Sequence, residues 1–156
     1  MAKQVIDRTA TTAADPPTVW ALLADGATWP EWSPLGSFDL IEPGDGAPEG
    51  LGAVRLFTTG RYKSRERVVE RTPGEVFSYV LEAGLPLRDY KAVVTLVPSD
   101  AGTVIRWRST FHAKVPGTGW IYRRQLGNFI GRTVDGLAAT TSARARRTQR
   151  GLTEPG

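Results

Sequence analysis

Leu126, Phe129, Ile130, Val134, Leu137 and Ala138 recur at spacings of three and four near the end of this 156-residue chain. That period places them on one face of a long helix, roughly 118–145, begun after Pro116-Gly117 has broken the preceding segment. Such a stripe must be buried, and what precedes it is a series of strand-like runs. They cover 4–12, 37–41, 52–59, 62–71, 76–83, 90–98 and 103–115, with turns at Thr72–Glu75 and Pro98–Gly102 and a loop at Pro43–Gly50. The order is strand, short helices, antiparallel strands, long helix. It specifies an α+β domain in which one helix packs on a curved antiparallel sheet. Gly127 and Gly131 lie four apart in that helix, at a cost of roughly 1 kcal/mol each relative to Ala. Close approach of helix to sheet explains them, and so does room left for a ligand.

The short helices are legible in Asp15-Pro-Pro-Thr-Val-Trp-Ala-Leu-Leu-Ala-Asp25 and Trp29-Pro-Glu-Trp-Ser-Pro34. Asp15 is suited to accept from free N–H groups of the first turn, where Pro16 and Pro17 forfeit no intrahelical bond. Period two assigns the strand faces. Ile105, Trp107, Ser109, Phe111 and Ala113 point inward, and Arg106, Arg108, Thr110, His112 and Lys114 outward. Tyr90, Ala92, Val94 and Leu96 share one face, as do Phe77, Tyr79 and Leu81 against Ser78 and Glu82. In 52–59 the pattern is ambiguous, with Val54 and Leu56 competing with Phe57 for the inside.

Composition removes several chemistries. The chain has no cysteine and one histidine, which excludes disulfides, thiolate nucleophiles and Cys-based zinc sites and argues against a His-rich metal site. No metal and no cofactor is expected. No apolar run approaches a membrane span, and Met1–Arg8 has no signal-peptide core, so a cytoplasmic location is expected. The net charge of +4 comes from 16 arginines and 4 lysines, against 16 acids. Arg144, Arg146, Arg147 and Arg150 suit a solvated helix end better than a nucleic-acid contact, and Thr148–Gly156 has the composition of a frayed tail.

Val19-Trp20-Ala-Leu-Leu-Ala-Asp25, Trp29-Pro-Glu-Trp-Ser-Pro34, Gly52-Ala-Val-Arg55 and Glu66-Arg-Val68 form an ordered set with three later pieces. These are Leu85-Pro-Leu-Arg-Asp-Tyr-Lys91, Val94-Thr-Leu-Val-Pro98 and Gly102-Thr-Val-Ile-Arg-Trp107. Together they resemble the polyketide cyclase/dehydrase-like branch of the START-like (SRPBCC) superfamily, over residues 4–140. The resemblance implies a helix-grip fold. A seven-stranded curved antiparallel sheet wraps a long C-terminal helix, two short helices follow the first strand, and an apolar cavity lies between sheet and helix. The domain is expected to occupy 1–147, with 148–156 as a flexible tail. In related plant hormone receptors, residues matching Glu66 and Tyr90 face the cavity and a loop matching Gly84–Asp89 closes over its mouth. The receptors' other gate, a Ser-Gly-Leu-Pro turn, reads Thr58-Thr-Gly-Arg-Tyr-Lys63 here, so a receptor-type latch does not carry over.

The expected function is therefore binding of a hydrophobic small molecule, lipid, polyketide or terpenoid-like. Inward parity and the resemblance nominate Trp32, Phe57, Glu66, Val68, Tyr79, Leu81, Leu87, Tyr90, Val94, Trp107, Ser109, Phe111, Leu126, Phe129 and Ile130 as its contacts. An enzymatic alternative is a cofactor-independent cyclase or dehydratase, with Glu66 as general acid or base and Tyr90 as donor to an enolate oxygen. Against it, Glu66 has a structural use in pairing with an arginine such as Arg55 or Arg65. A third alternative is a co-chaperone or stress-response interaction module, which a collapsed cavity would favour. Neither a specific nucleic-acid partner nor an oligomeric state is indicated.

Overall fold

Asp15 caps the first helix as its position demands. In the computed structural model, which describes residues 2–153, its carboxylate accepts from the Thr18 backbone N–H at 3.1 Å and from the Thr18 hydroxyl at 2.5 Å. Helix α1 (Pro16–Leu23) then buries Val19, Leu22 and Leu23. A 3-10 turn, Gly26–Thr28, leads into the single turn of α2 (Trp29–Trp32), both of whose tryptophans are buried. Before these lies strand β1 (Gln4–Thr12). After them come β2 (Ser37–Glu42), β3 (Val54–Thr59), β4 (Tyr62–Thr72), β5 (Val76–Ala83), β6 (Leu87–Ser99) and β7 (Gly102–Ala113).

The seven strands form one sheet in the order β1-β7-β6-β5-β4-β3-β2, antiparallel throughout, so consecutive strands are hairpin neighbours except that β1 crosses over to pair with β7. Helix α3 (Gly119–Thr153) lies across β1 and β7, with α1 and α2 against it. Its stripe supplies Ile130, Val134, Leu137 and Ala138 to the core. The helix continues to Thr153, through residues that composition alone reads as a tail. Hydroxyl groups fix its far half: Thr12 Oγ1 bonds Thr141 Oγ1 at 2.7 Å and Ser142 Oγ at 3.0 Å, and Ser142 Oγ also accepts from the Ala13 N–H.

At Gly127 and Gly131 the helix meets the sheet through one side chain rather than through its backbone. The nearest foreign atoms there belong to the Arg8 side chain, whose Nε donates to the Gly127 carbonyl at 3.3 Å. The close backbone approach is at Gly136, where a Cβ would stand 1.8 Å from the Trp32 carbonyl oxygen.

The alternation in β6 and β7 places Ala92, Val94, Leu96, Ile105, Trp107, Ser109, Phe111 and Ala113 inside, while His112 is half-buried with its Nδ1 3.8 Å from an Asp89 carboxylate oxygen. Leu87 and Tyr90 are both buried although three residues apart. A bulge between Arg88 and Lys91 accounts for this, with Asp89 in the left-handed region at φ 53°. An extra residue there turns Tyr90 back to the inside. Ser78, expected outward, is fully buried, and its hydroxyl donates to the Ala92 carbonyl at 2.8 Å.

Candidate functional site

Strand β3 resolves its ambiguity by turning Arg55 and Phe57 inward while Leu56 stays half-buried. Arg55 is completely buried, the most unusual placement in the molecule. Its guanidinium lies 4.5 Å from the Trp29 ring centre, 4.9 Å from that of Phe77 and 5.0 Å from that of Phe57. Arg55 and Glu66 are directly opposed across β3 and β4, so their side chains share a face. Arg55 Nη2 donates to Glu66 Oε1 at 3.0 Å, and Nη1 to Glu49 Oε1 at 3.4 Å. Glu49 in turn accepts from the Gly26 N–H at 2.9 and 3.0 Å, which ties the 43–53 loop to the 3-10 turn. Of the two arginines open to Glu66, Arg55 is the partner, while Arg65 reaches Glu42 at 3.6 Å. Arg55 Nε and Trp107 Nε1 are buried without a hydrogen-bond partner.

Beyond this charged knot lies an internal cavity of about 580 Å³. That size falls in the range of small-molecule sites, roughly 300–1,000 Å³. Trp29 lines it, and its ring meets Tyr79 and Trp107 of the wall and Trp32, Phe57 and Phe77 of the packed core at centroid distances of 5.0 to 6.4 Å. Nine nominated residues line the space: Glu66, Tyr79, Leu81, Leu87, Tyr90, Trp107, Leu126, Phe129 and Ile130. Six do not. Trp32 packs on Trp29 and gives its Nε1–H to Thr28 Oγ1, Phe57 lies under Arg55, and Val68 and Val94 belong to the packed core. Ser109 bonds the Tyr90 hydroxyl at 3.0 Å, and Phe111 is packed behind the Tyr90 ring at 6.2 Å. Period two identifies the inward face but not the depth along a strand at which the interior becomes hollow.

Residues outside the nominated set complete the wall. Thr59, Tyr62 and Ser64 come from the β3–β4 hairpin, Leu85 and Pro86 from the β5–β6 connection, and Thr118, Ile121, Tyr122, Gln125 and Thr133 from the approach to α3 and its first four turns. Leu35 and Trp29 close the side of α2. The apolar Leu85-Pro-Leu87 knuckle signals the second group. Thr59, Tyr62, Ser64, Thr118, Tyr122 and Gln125 are exposed or half-buried positions that periodicity alone does not distinguish from ordinary surface.

Burial pushes Glu66 up to about 7, overriding the attraction of Arg55 and its hydrogen bond, which act in the opposite direction. Burial raises Tyr90 to about 12; the bond to Ser109 opposes this, and the charge of Glu66 adds to it. Tyr79 is raised further, by burial first and then by Tyr90 and Glu66. The cavity therefore presents a carboxyl group that changes charge near neutrality and two phenols that remain protonated. Among the described residues no three His, Asp or Glu side chains converge as a metal site requires.

The family described as polyketide cyclase/dehydrase and lipid transport matches this chain over residues 3–142. The chain belongs to that family, within the SRPBCC superfamily. Solved structures of similar fold span both chains. A protein of Thermobifida fusca is 24% identical over 89% of this chain and 93% of its own, with a TM-score of 0.73. A protein of Thermus thermophilus is 16% identical over 90% and 99%, with a TM-score of 0.70. Norcoclaurine synthase of Thalictrum flavum, solved with dopamine and hydroxybenzaldehyde, is 16% identical over 89% and 86%, with a TM-score of 0.69. No curated protein matches the sequence. The likenesses give this member of the polyketide cyclase/dehydrase family its helix-grip architecture. Its chemistry rests on its own side chains.

Proposed function

We propose that this protein binds a hydrophobic small molecule carrying at least one hydroxyl or carbonyl group, in the cavity between the sheet and α3. The observation that carries this is the cavity itself: about 580 Å³, walled chiefly by aromatic and aliphatic side chains, with Glu66, Tyr79 and Tyr90 among its polar groups. Apolar walls supply affinity, and a few polar groups orient the ligand. Tyr90 already has a partner in Ser109, and Glu66 accepts from Arg55 through Oε1, so a ligand hydroxyl finds its acceptor in the remaining carboxylate oxygen. Lipid, polyketide and terpenoid skeletons all fit this description, and a cytoplasmic location belongs to the same reading.

The test is native mass spectrometry of the protein purified from its own host, followed by organic extraction. A retained hydrophobic compound, lost or weakened in a Glu66→Gln or Tyr90→Phe variant, is the expected result. A protein that arrives empty and binds no apolar fluorescent probe in solution overturns the reading.

One observation favours a second reading, that of a cyclase or dehydratase. A carboxyl held near neutrality by burial, in a cavity that also holds a neutral phenol, suits proton transfer at pH 7. The structural likeness to norcoclaurine synthase shows that this architecture accommodates an enzyme. In that case Glu66 takes a proton from an acidic carbon, and Tyr90 donates a hydrogen bond to the oxygen that gains charge. Turnover abolished by Glu66→Gln with ligand affinity retained supports the enzyme. Unchanged turnover excludes this role for Glu66.

A further inference from the structure

Three segments border the mouth of the cavity: the β3–β4 hairpin, the β5–β6 connection and the passage from β7 into α3. They are held together. A Cβ on Gly84 would stand 1.7 Å from the Lys63 carbonyl oxygen, and the Lys114 N–H donates to the Pro86 carbonyl at 3.2 Å. Each outer segment displays a large apolar side chain in water: Tyr62 is 55% exposed, Val115 55% and Trp120 58%. Tyr62 also lines the cavity, and Trp120 directly precedes the lining residues Ile121 and Tyr122. Exposed apolar groups thus stand on two of the three segments that border an opening into an apolar interior.

The charge around that opening is predominantly positive. Arg61, Lys63, Arg88, Lys114, Arg123 and Arg124 stand on or beside these segments, against two acids, Asp89 and Glu82, the latter paired with Arg67. All six cations are exposed, and none forms an ion pair with a described residue. Arg106 and Arg67, by contrast, are paired, with Asp7 and Glu82 respectively.

We propose that the mouth docks onto an anionic lipid bilayer, with Tyr62, Val115 and Trp120 entering the headgroup region and the surrounding cations meeting lipid phosphates. Indole and phenol rings settle at headgroup depth, because one edge is apolar and the other bonds water. Lys and Arg stems lie along apolar surface while their charged ends reach the headgroups. The apolar side chains stand on separate segments around a hole, an arrangement that a fluid surface meets at every point. The direction of docking follows: the opening faces the layer from which a hydrophobic ligand enters or into which it leaves. This last point rests on the ligand-binding reading above; the docking itself does not.

Cosedimentation of the full chain with vesicles of phosphatidylcholine, and of phosphatidylcholine with phosphatidylglycerol in equal parts, tests the proposal. Binding to the mixed vesicles only, weakening as salt is added, is expected. Arg123→Gln with Arg124→Gln should lower affinity about 25-fold, at about fivefold per cation. Trp120→Ala should weaken binding several-fold, and the tryptophan emission of the unaltered chain should shift to the blue on binding by more than that of Trp120→Ala. Arg144→Gln with Arg146→Gln is the matching control, since those cations lie more than 20 residues further along α3, roughly 30 Å away. All these positions are exposed, and unchanged thermal unfolding verifies that each variant folds. Equal loss from both pairs, equal binding to neutral vesicles, or no vesicle binding overturns the proposal. Rim-dependent capture of an acidic protein in place of vesicles also overturns it. Cavity occupancy is read separately with an apolar probe in solution, so a chain that fills its cavity and ignores vesicles refutes the docking alone.

Discussion

Arg55 and Glu66 carry the sharpest conflict in the molecule. A cation and a carboxylate were both taken out of water, and their bond at 3.0 Å does not fully offset the loss of hydration, as the rise of Glu66 to about 7 records. The consequence for stability has a definite sign. Glu66 binds its proton more tightly folded than unfolded, where the usual value is 4.5, so its contribution is complete below about 4.5 and is lost as pH rises to about 7. Urea titrations across that window should show the unaltered chain losing stability relative to Glu66→Gln, by at most about 3 kcal/mol. Flat, parallel profiles would refute the shift. Arg55→Met leaves the carboxyl without its partner and its aromatic box without a cation. The Glu66 midpoint followed by carboxyl carbon NMR should then move above 7, and stability above that pH should fall by about 3–5 kcal/mol. A midpoint that moves down would show that Arg55 does not hold the charge.

At the scale of elements, helix α3 distinguishes two kinds of glycine that look alike in the sequence. A methyl group at Gly136 collides with the Trp32 carbonyl, whereas at Gly131 the nearest foreign atom is Arg8 Nε at an ordinary 3.8 Å. Gly136→Ala should therefore cost about 1–3 kcal/mol. Gly131→Ala should add about 1 kcal/mol through helix propensity. Thermal unfolding of the pair checks both signs. Tight contact and mere permissiveness are indistinguishable in sequence because each depends on what another element places opposite. The elements themselves were legible: all seven strands and the long helix follow from alternation, three-four spacing and Gly/Pro punctuation. Bulges were not. The register shift at Arg88–Lys91 brings Leu87 and Tyr90 to one side, and period-two counting through it would separate them. The site was half legible for a related reason. Glu66 came from resemblance, Tyr90 from resemblance and parity together, and the apolar wall from parity in the strands and three-four spacing in α3. Arg55, an arginine in an inward register, reads as surface until Trp29, Phe57 and Phe77 are known to enclose it.

The whole molecule is solid at one end and hollow at the other, with Trp29 between. Leu96, Ile105, Phe77 and Val94 fill the first half with α1 and the far turns of α3, while the half bounded by the three rim segments encloses about 580 Å³. Adding bulk should therefore have opposite consequences in the two halves. Val94 is fully buried in the packed half, so Val94→Phe forces neighbours off their rotamers and should cost about 1–3 kcal/mol in urea unfolding. Leu126 is half-buried on α3 and faces the cavity, so the larger ring of Leu126→Phe has space to enter. Its stability should stay within about 0.5 kcal/mol of the parent. Its capacity for an apolar probe should fall, because the added ring occupies ligand volume. The two readouts work together. A costly Leu126→Phe would mean that the cavity closes in solution, and the ligand-binding reading would then lose its physical basis. A neutral one that excludes the probe would show that the sheet and α3 hold the space open without a ligand, so that binding need not spend energy on opening it.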